Sequence, residues 1–141
     1  MNLGWHGLPV GRRVLLAEDD VALREMLATV LSESGYQVAS VSNGSELGDL
    51  LHRGAPFDLI VTDVNMPGGS GLDVVDRLRQ AGDVTPVIVV TAFPNEDIRH
   101  HAKDLGLRLL AKPFELETLR TAVDWAIRAN AAHQRRLPWS V

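Results

Sequence analysis

The sequence contains no cysteine, which excludes disulfides, thiol nucleophiles and Cys-ligated zinc and leaves hard oxygen ligands as the more plausible metal chemistry. It also lacks any apolar run approaching the roughly 20 residues that span a bilayer, so nothing in it is expected to cross a membrane. Met1 to Gly11 carry neither a long apolar core nor a convincing small-residue cleavage site, so no secretory signal is expected and a cytoplasmic location is the default. An excess of positive charge is missing as well. The formal net charge of −4 argues against nonspecific binding to nucleic acid. The one basic concentration, Arg128 to Arg136, reads as a solvated helix end, where cations suit the carboxyl terminus of the dipole.

What is present fits one soluble globular domain: 141 residues, 45% apolar and 23% charged, enough for a single core and a single site. Short segments rich in branched apolar residues, Val14 to Ala17, Val38 to Val41, Leu59 to Thr62, Val87 to Val90 and Leu107 to Leu110, alternate with helical patterns. Leu23, Met26, Leu27, Val30 and Leu31 give the first helix an apolar face before Gly35 stops it. Leu47, Leu50 and Leu51 mark a shorter second helix. The third carries Leu72, Val75 and Leu78 between Ser70, three residues before Asp73 as in a capping box, and Gly82. The fourth, near Asn95 to Leu105, has only Ile98, Ala102 and Leu105 as a weak stripe and should be the least firmly packed. The fifth follows Pro113 with Leu116, Leu119, Val123 and Ile127 on one face. At about 100° per residue, Trp125 falls nearly opposite Leu116, with Thr118, Ala122 and Ala129 beside it, which suggests a partner surface.

Buried strands with intervening helices predict a doubly wound α/β sandwich, a parallel sheet covered on both faces by right-handed crossovers. The domain is expected over residues 12–130, with 1–11 and 131–141 as tails or linkers. Ligands in such folds sit beyond the carboxyl ends of the strands. There the sequence places Glu18, Asp19 and Asp20 after the first strand, Asp63 at the end of the third, Thr91 at the end of the fourth, and Lys112 and Pro113 after the fifth. Carboxylates crowded at about 4 Å repel by a few kcal/mol at an effective dielectric near 20, so the cluster calls for a cation. Mg²⁺ suits it, with Asp19 and Asp63 as direct ligands, Glu18 acting through water and the backbone carbonyl of Asn65 completing the protein's share. Asp20 is better placed to cap the first helix. With Asp63 as nucleophile, Lys112 pairs with a transferred phosphoryl group and Thr91 donates a hydrogen bond to it, giving an aspartyl phosphate.

The stretches VLLAEDD, DLIVTDVNMPGGSGLDV, VIVVTA and LLAKPF resemble the motifs of response regulator receiver domains, including the single-domain chemotaxis regulator, over roughly Arg12 to Ala129. The resemblance implies a flavodoxin-like five-stranded parallel sheet of order 2-1-3-4-5 with five helices. It also implies a Mg²⁺-dependent phosphoacceptor in two-component signalling, served by a sensor histidine kinase or a His phosphotransfer protein, rather than an enzyme with turnover. Residue by residue, Asp63 becomes the phosphoacceptor, Glu18 and Asp19 the acidic pair, Thr91 the switch hydroxyl and Lys112 the lysine before Pro113. One position departs from the pattern: three residues before the lysine, where the family usually has Tyr or Phe, stands Leu109. A leucine has no ring to swing, so coupling should rest on Thr91 and movement of the fourth helix. Phe93, two residues after Thr91, suggests slow self-dephosphorylation through exclusion of water.

Two rivals share parts of this chemistry. A haloacid-dehalogenase-like phosphatase should carry a second Asp two residues after the nucleophile, where Asn65 stands. An FMN-binding flavodoxin-like protein should present a Ser/Thr/Gly-rich phosphate loop after the first strand, where Glu18 and Asp19 would repel phosphate. A degenerate receiver that binds partners without phosphorylation is the remaining alternative. The face of the fourth helix, fifth strand and fifth helix, with His100, His101, Leu109 and Trp125, is where family members dimerise or dock an output partner. Neither a membrane nor direct nucleic-acid contact is expected.

Overall fold

The computed structural model describes residues 11–136, with side chains described through Ala132. Its elements alternate strictly: β1 (Arg13–Ala17), α1 (Val21–Glu33), β2 (Gln37–Val41), α2 (Gly44–His52), β3 (Leu59–Asp63), α3 (Gly71–Gln80), β4 (Val87–Thr91), α4 (Glu96–Asp104), β5 (Arg108–Ala111) and α5 (Leu116–Arg136). The strands form one parallel sheet of order β2-β1-β3-β4-β5, the doubly wound arrangement the motifs imply. Its central strands are the most apolar because both of their faces are covered: every residue of β3 and β4 is buried, whereas the edge strands β2 and β5 each bury one.

Strand alternation divides the core in two. Val14 and Leu16 of β1, with Val61, Ile88 and Val90, pack against Leu27 and Leu31 of α1 and Leu119, Val123 and Ile127 of α5. Leu15 and Ala17, with Ile60, Val87 and Val89, face Leu47 of α2 and Leu72, Val75 and Leu78 of α3, and Ile98 of α4 and Leu105 just after it reach the same side. Truncating a side chain such as Leu27, which is wholly buried, costs about 2–5 kcal/mol. Helix starts are fixed by side-chain caps: the N–H groups of Leu23, Glu46, Leu72 and Ile98 donate to Asp20, Asn43, Ser70 and Asn95. These bonds satisfy donors that have no partner inside their own helix.

Three sequence expectations shift. Met26 is 49% exposed, because it stands roughly 120° around α1 from the buried Leu27–Leu31 line. Ala122 is buried rather than beside Trp125. One turn after Leu119, it lies closer to the core stripe than to the solvent face. The fifth helix does not close at Asn130 but continues to Arg136. Ala131 extends the four-residue stripe of Leu119, Val123 and Ile127 and is itself buried, so the segment read as a tail begins as helix. The basic run Arg128 to Arg136 therefore lies within α5. The remaining tail assignments, residues 1–10 and 137–141, fall outside the described residues.

Candidate functional site

Strand register assembles the site. Ala17 pairs with Thr62, Asp63 with Val90, and Thr91 with Ala111. The next residue after each strand, or its last one, therefore arrives at one rim: Glu18 and Asp19 from β1, Asp63 from β3, Thr91 from β4 and Lys112 from β5. Glu18 and Thr91 are fully buried, Asp63 is 5% exposed, and Asp19 is exposed. One carboxylate oxygen from each of Glu18, Asp19 and Asp63 lies within 4.8 Å of the other two.

Lys112 ties this cluster together. Its ammonium donates to Asp63 Oδ2 at 2.6 Å and to Glu18 Oε1 at 2.9 Å. The other oxygens are also engaged: Asn65 N–H donates to Asp63 Oδ1 at 3.0 Å, and Asp20 N–H to Glu18 Oε2 at 3.1 Å. Burial, reinforced by the charge of Asp63, pushes the Glu18 carboxyl above its usual value against the opposing pull of Lys112 and the Asp20 N–H. Burial alone would lower the Lys112 ammonium, but its hydrogen bonds and charge contacts to Asp63 and Glu18 together outweigh burial and raise it. Both directions describe an oxygen-rich, partly dry site with three acidic side chains and one cation.

The structure adds residues the sequence reading passed over. Arg24, one turn into α1, donates to the Glu18 carbonyl at 2.8 Å and anchors the loop that presents the acidic pair. Gly71 opens α3 against the end of β3. A Cβ there would overlap the Asp63 carbonyl oxygen and crowd the Thr62 hydroxyl, which donates to that same carbonyl at 3.0 Å. The hydroxyl of Thr91 accepts from Phe93 N–H at 3.1 Å, leaving its own proton free to be donated. A glycine directly after a helix cap was the only signal in the sequence for Gly71.

The residues proposed for a partner face lie on α4, β5 and α5, around the edge strand of the sheet. His101 turns toward α3, with Nε2 3.8 Å from Asp76 Oδ2. His100 lies on an acidic surface with Glu96, Asp97 and Asp104. Leu109 is half-buried and packs into the core beneath α2, α3 and α4. Trp125 stands 63% exposed on α5, across the sheet from α4.

Comparisons with known proteins agree with this geometry. Residues 14–124 match the response regulator receiver domain family. The transcriptional regulatory protein PdtaR of Mycobacterium tuberculosis is 37% identical over 120 residues, covering 84% of this chain and 58% of that protein. This chain thus spans little more than half of that relative. The sporulation initiation phosphotransferase F of Bacillus subtilis is 30% identical over 115 residues, covering 81% of this chain and 92% of the relative. Among solved structures, the signal receiver domain of a putative Luxo repressor protein from Vibrio parahaemolyticus superposes with a TM-score of 0.81 at 28% identity, covering 88% of this chain and 95% of the other. No described helix is long and apolar enough to cross a membrane. Motif order, strand topology and the acidic rim converge with these matches, and the chain belongs to the response regulator receiver domain family, the phosphoacceptor modules of two-component signalling.

Proposed function

We propose that Asp63 accepts the phosphoryl group, from a phosphohistidine of a sensor histidine kinase or a His phosphotransfer protein in the cytoplasm. The observation that carries this reading is the Lys112 ammonium held between Asp63 and Glu18 at a rim of buried polar groups. In the transfer, a carboxylate oxygen of Asp63 attacks phosphorus as the P–N bond to the donor histidine breaks, and the electron pair of that bond returns to the imidazole. Lys112, already at the carboxylate, follows the negative charge onto a phosphoryl oxygen. Thr91 keeps accepting from Phe93 N–H while its hydroxyl proton turns to a second phosphoryl oxygen.

The acidic rim fits a hard divalent cation, since every donor is oxygen and three carboxylates face one ammonium. Asp19 and Asp63 would hold Mg²⁺ directly, with the Asn65 carbonyl. Glu18, fully buried behind the exposed Asp19, would contact the cation through water. When bound, Mg²⁺ neutralises charge on the equatorial phosphoryl oxygens. Self-phosphorylation from small donors and self-dephosphorylation are expected to be weak, as suits a phosphoacceptor rather than an enzyme with turnover.

The output is proposed to run through α4, where only Ala102 is buried. With Leu109 in place of an aromatic ring, displacement of Thr91 should loosen or shift α4 directly. Amide exchange in α4 is expected to change when a phosphoryl mimic occupies Asp63, and identical protection in both states would overturn this route.

The deciding experiment is incubation with acetyl phosphate, with and without Mg²⁺, read by intact mass beside Asp63→Asn. A Mg²⁺-dependent gain of one phosphoryl group, absent from the variant, is expected. No gain under any condition would replace this reading with that of a phosphorylation-independent binding module.

A further inference from the structure

Beneath β4 and β5, at the end of the sheet opposite Asp63, lies a groove of about 320 Å³. Its walls are apolar: Trp125 and Ala129 of α5 on one side, Val84 and Pro86 of the α3–β4 connection on the other. Trp125 is 63% and Val84 68% exposed, so two large apolar side chains are left to water in one concavity. Arg79 at the end of α3 and Arg108 at the start of β5 also line it, and no carboxylate does.

Both guanidinium groups have capacity to spare. Among the described residues Arg108 makes neither a side-chain hydrogen bond nor an ion pair, and Arg79 donates only to the backbone carbonyl of Asp83, at 3.1 Å. The N–H and hydroxyl of Thr85 both donate to Asp83 Oδ1, at 2.8 and 2.6 Å, and the Asp83 charge acts on Arg79 without forming an ion pair with it. A cationic lining on an apolar groove is opposite in sign to the chain's net charge of −4. It is also opposite to the surface of α4, where Glu96, Asp97 and Asp104 cluster. An acidic ligand would be drawn to the groove and repelled from α4. The volume suits one or two side chains of a linear segment rather than a globular face.

We propose that this groove docks an acidic peptide segment of a partner protein. An aromatic or aliphatic anchor inserts between Trp125 and Val84, and flanking carboxylates pair with Arg79 and Arg108. The groove shares no residue with the rim around Asp63, so docking is independent of the phosphoryl group. It tethers the receiver to a partner in both states.

The test uses the full chain, isotopically labelled, and a capped peptide with a central leucine–phenylalanine pair flanked by acidic residues. A second peptide with lysines in place of the acids is the comparison. Saturable shifts of the Trp125 indole and of the Gly106 and Arg108 amides are expected with the acidic peptide alone. Affinity should fall about tenfold or more in Arg108→Glu and in Trp125→Ala. Both positions are exposed, and unchanged spectra elsewhere would confirm the fold. The shifts should be the same with a phosphoryl mimic bound. Absent shifts, equal response to both peptides, or indifference to the two variants would overturn the proposal. So would finding the groove already filled: signals that change with protein concentration would mean a second copy, and signals that change when the chain is shortened to Arg136 would mean its own last residues.

Discussion

Lys112 Nζ lies 2.6 Å from Asp63 Oδ2 and 2.9 Å from Glu18 Oε1, so one ammonium from the far edge of the sheet compensates two carboxylates delivered by its central strands. Both acids are buried, while the Lys112 side chain keeps 20% of its surface in solvent. The contact is therefore stronger than a surface salt bridge and weaker than a fully dry one.

Replacing Lys112 with Ala should leave two buried carboxylates facing Asp19 without a cation. Stability at neutral pH is expected to fall by about 1–3 kcal/mol, and addition of Mg²⁺ should recover part of that loss. Phosphoryl uptake from acetyl phosphate should slow by about a hundredfold, the usual consequence of removing one charge contact to the transferred group. Thermal melts with and without Mg²⁺, beside the time course of mass gain, check both. A variant as stable as the parent and as fast would show that Lys112 only decorates the rim.

Two glycines separate packing from flexibility. At Gly71, where φ is not positive, a Cβ would collide with the Asp63 carbonyl and the Thr62 hydroxyl. Gly71→Ala should cost about 1–3 kcal/mol by overpacking and slow phosphorylation by displacing Asp63. Within α2, a Cβ at Gly48 would meet only Arg77 Nη2, at 3.9 Å. Gly48→Ala should stabilise by about 0.5–1 kcal/mol through helix propensity and leave phosphorylation unchanged. Denaturant midpoints and acetyl phosphate kinetics on the two variants distinguish these outcomes.

The site was legible because strand ends can be read from sequence: each apolar run stops at a polar residue, and a parallel sheet sends all those stops to one rim. Asp20 as a helix cap followed from its place before the α1 stripe. What escaped was anything set by three-dimensional crossing. Arg24 reaches back to the Glu18 carbonyl, and His101 turns to Asp76, through geometry that neither residue's neighbours encode. The length of α5 was missed because alanines carry the stripe past Ile127, and an alanine repeat looks neutral to a hydrophobic pattern. Trp125 was correctly placed on the outer face of α5, but its groove depends on Val84 and Arg108, which arrive from the α3–β4 connection and from β5.

The Tyr36 hydroxyl, on the turn before β2, donates to the Asp124 carboxylate of α5. Burial, with the hydrogen bond to Asp124 and its negative charge added, pushes the phenol well above its usual range. A tyrosine whose folded pKa exceeds its unfolded value contributes fully below the unfolded value, about 10, and loses that contribution as pH rises toward the folded one. Stability should therefore decline with increasing alkalinity above about pH 10. Lys112, raised in the same sense, adds to the decline, so the comparison is one of slopes. Tyr36→Phe should be less stable at neutral pH by about 1–2 kcal/mol and show a shallower alkaline loss. Equal slopes in denaturant titrations across that range would remove the role assigned to the phenol.

Phe93 follows Thr91 by two residues, its N–H bound to the threonine hydroxyl and its ring 70% exposed. The side chain is thus not part of the α4 packing, and the backbone bond holds the N–H of the same residue at the hydroxyl that is to hold the phosphoryl group. A bulky apolar side chain there restricts the approach of water to an acyl phosphate. The phosphorylated protein should consequently lose its phosphoryl group slowly. Phe93→Ala should hydrolyse faster, by about threefold to tenfold, which corresponds to roughly 0.7–1.4 kcal/mol of barrier. Because Thr91 is held by the Phe93 backbone rather than its ring, uptake of the group should be unaffected, which separates screening of water from damage to the site. The measurement is the decay of the phosphorylated mass after removal of acetyl phosphate. A decay in Phe93→Ala no faster than in the parent would leave the ring without a part in phosphoryl lifetime.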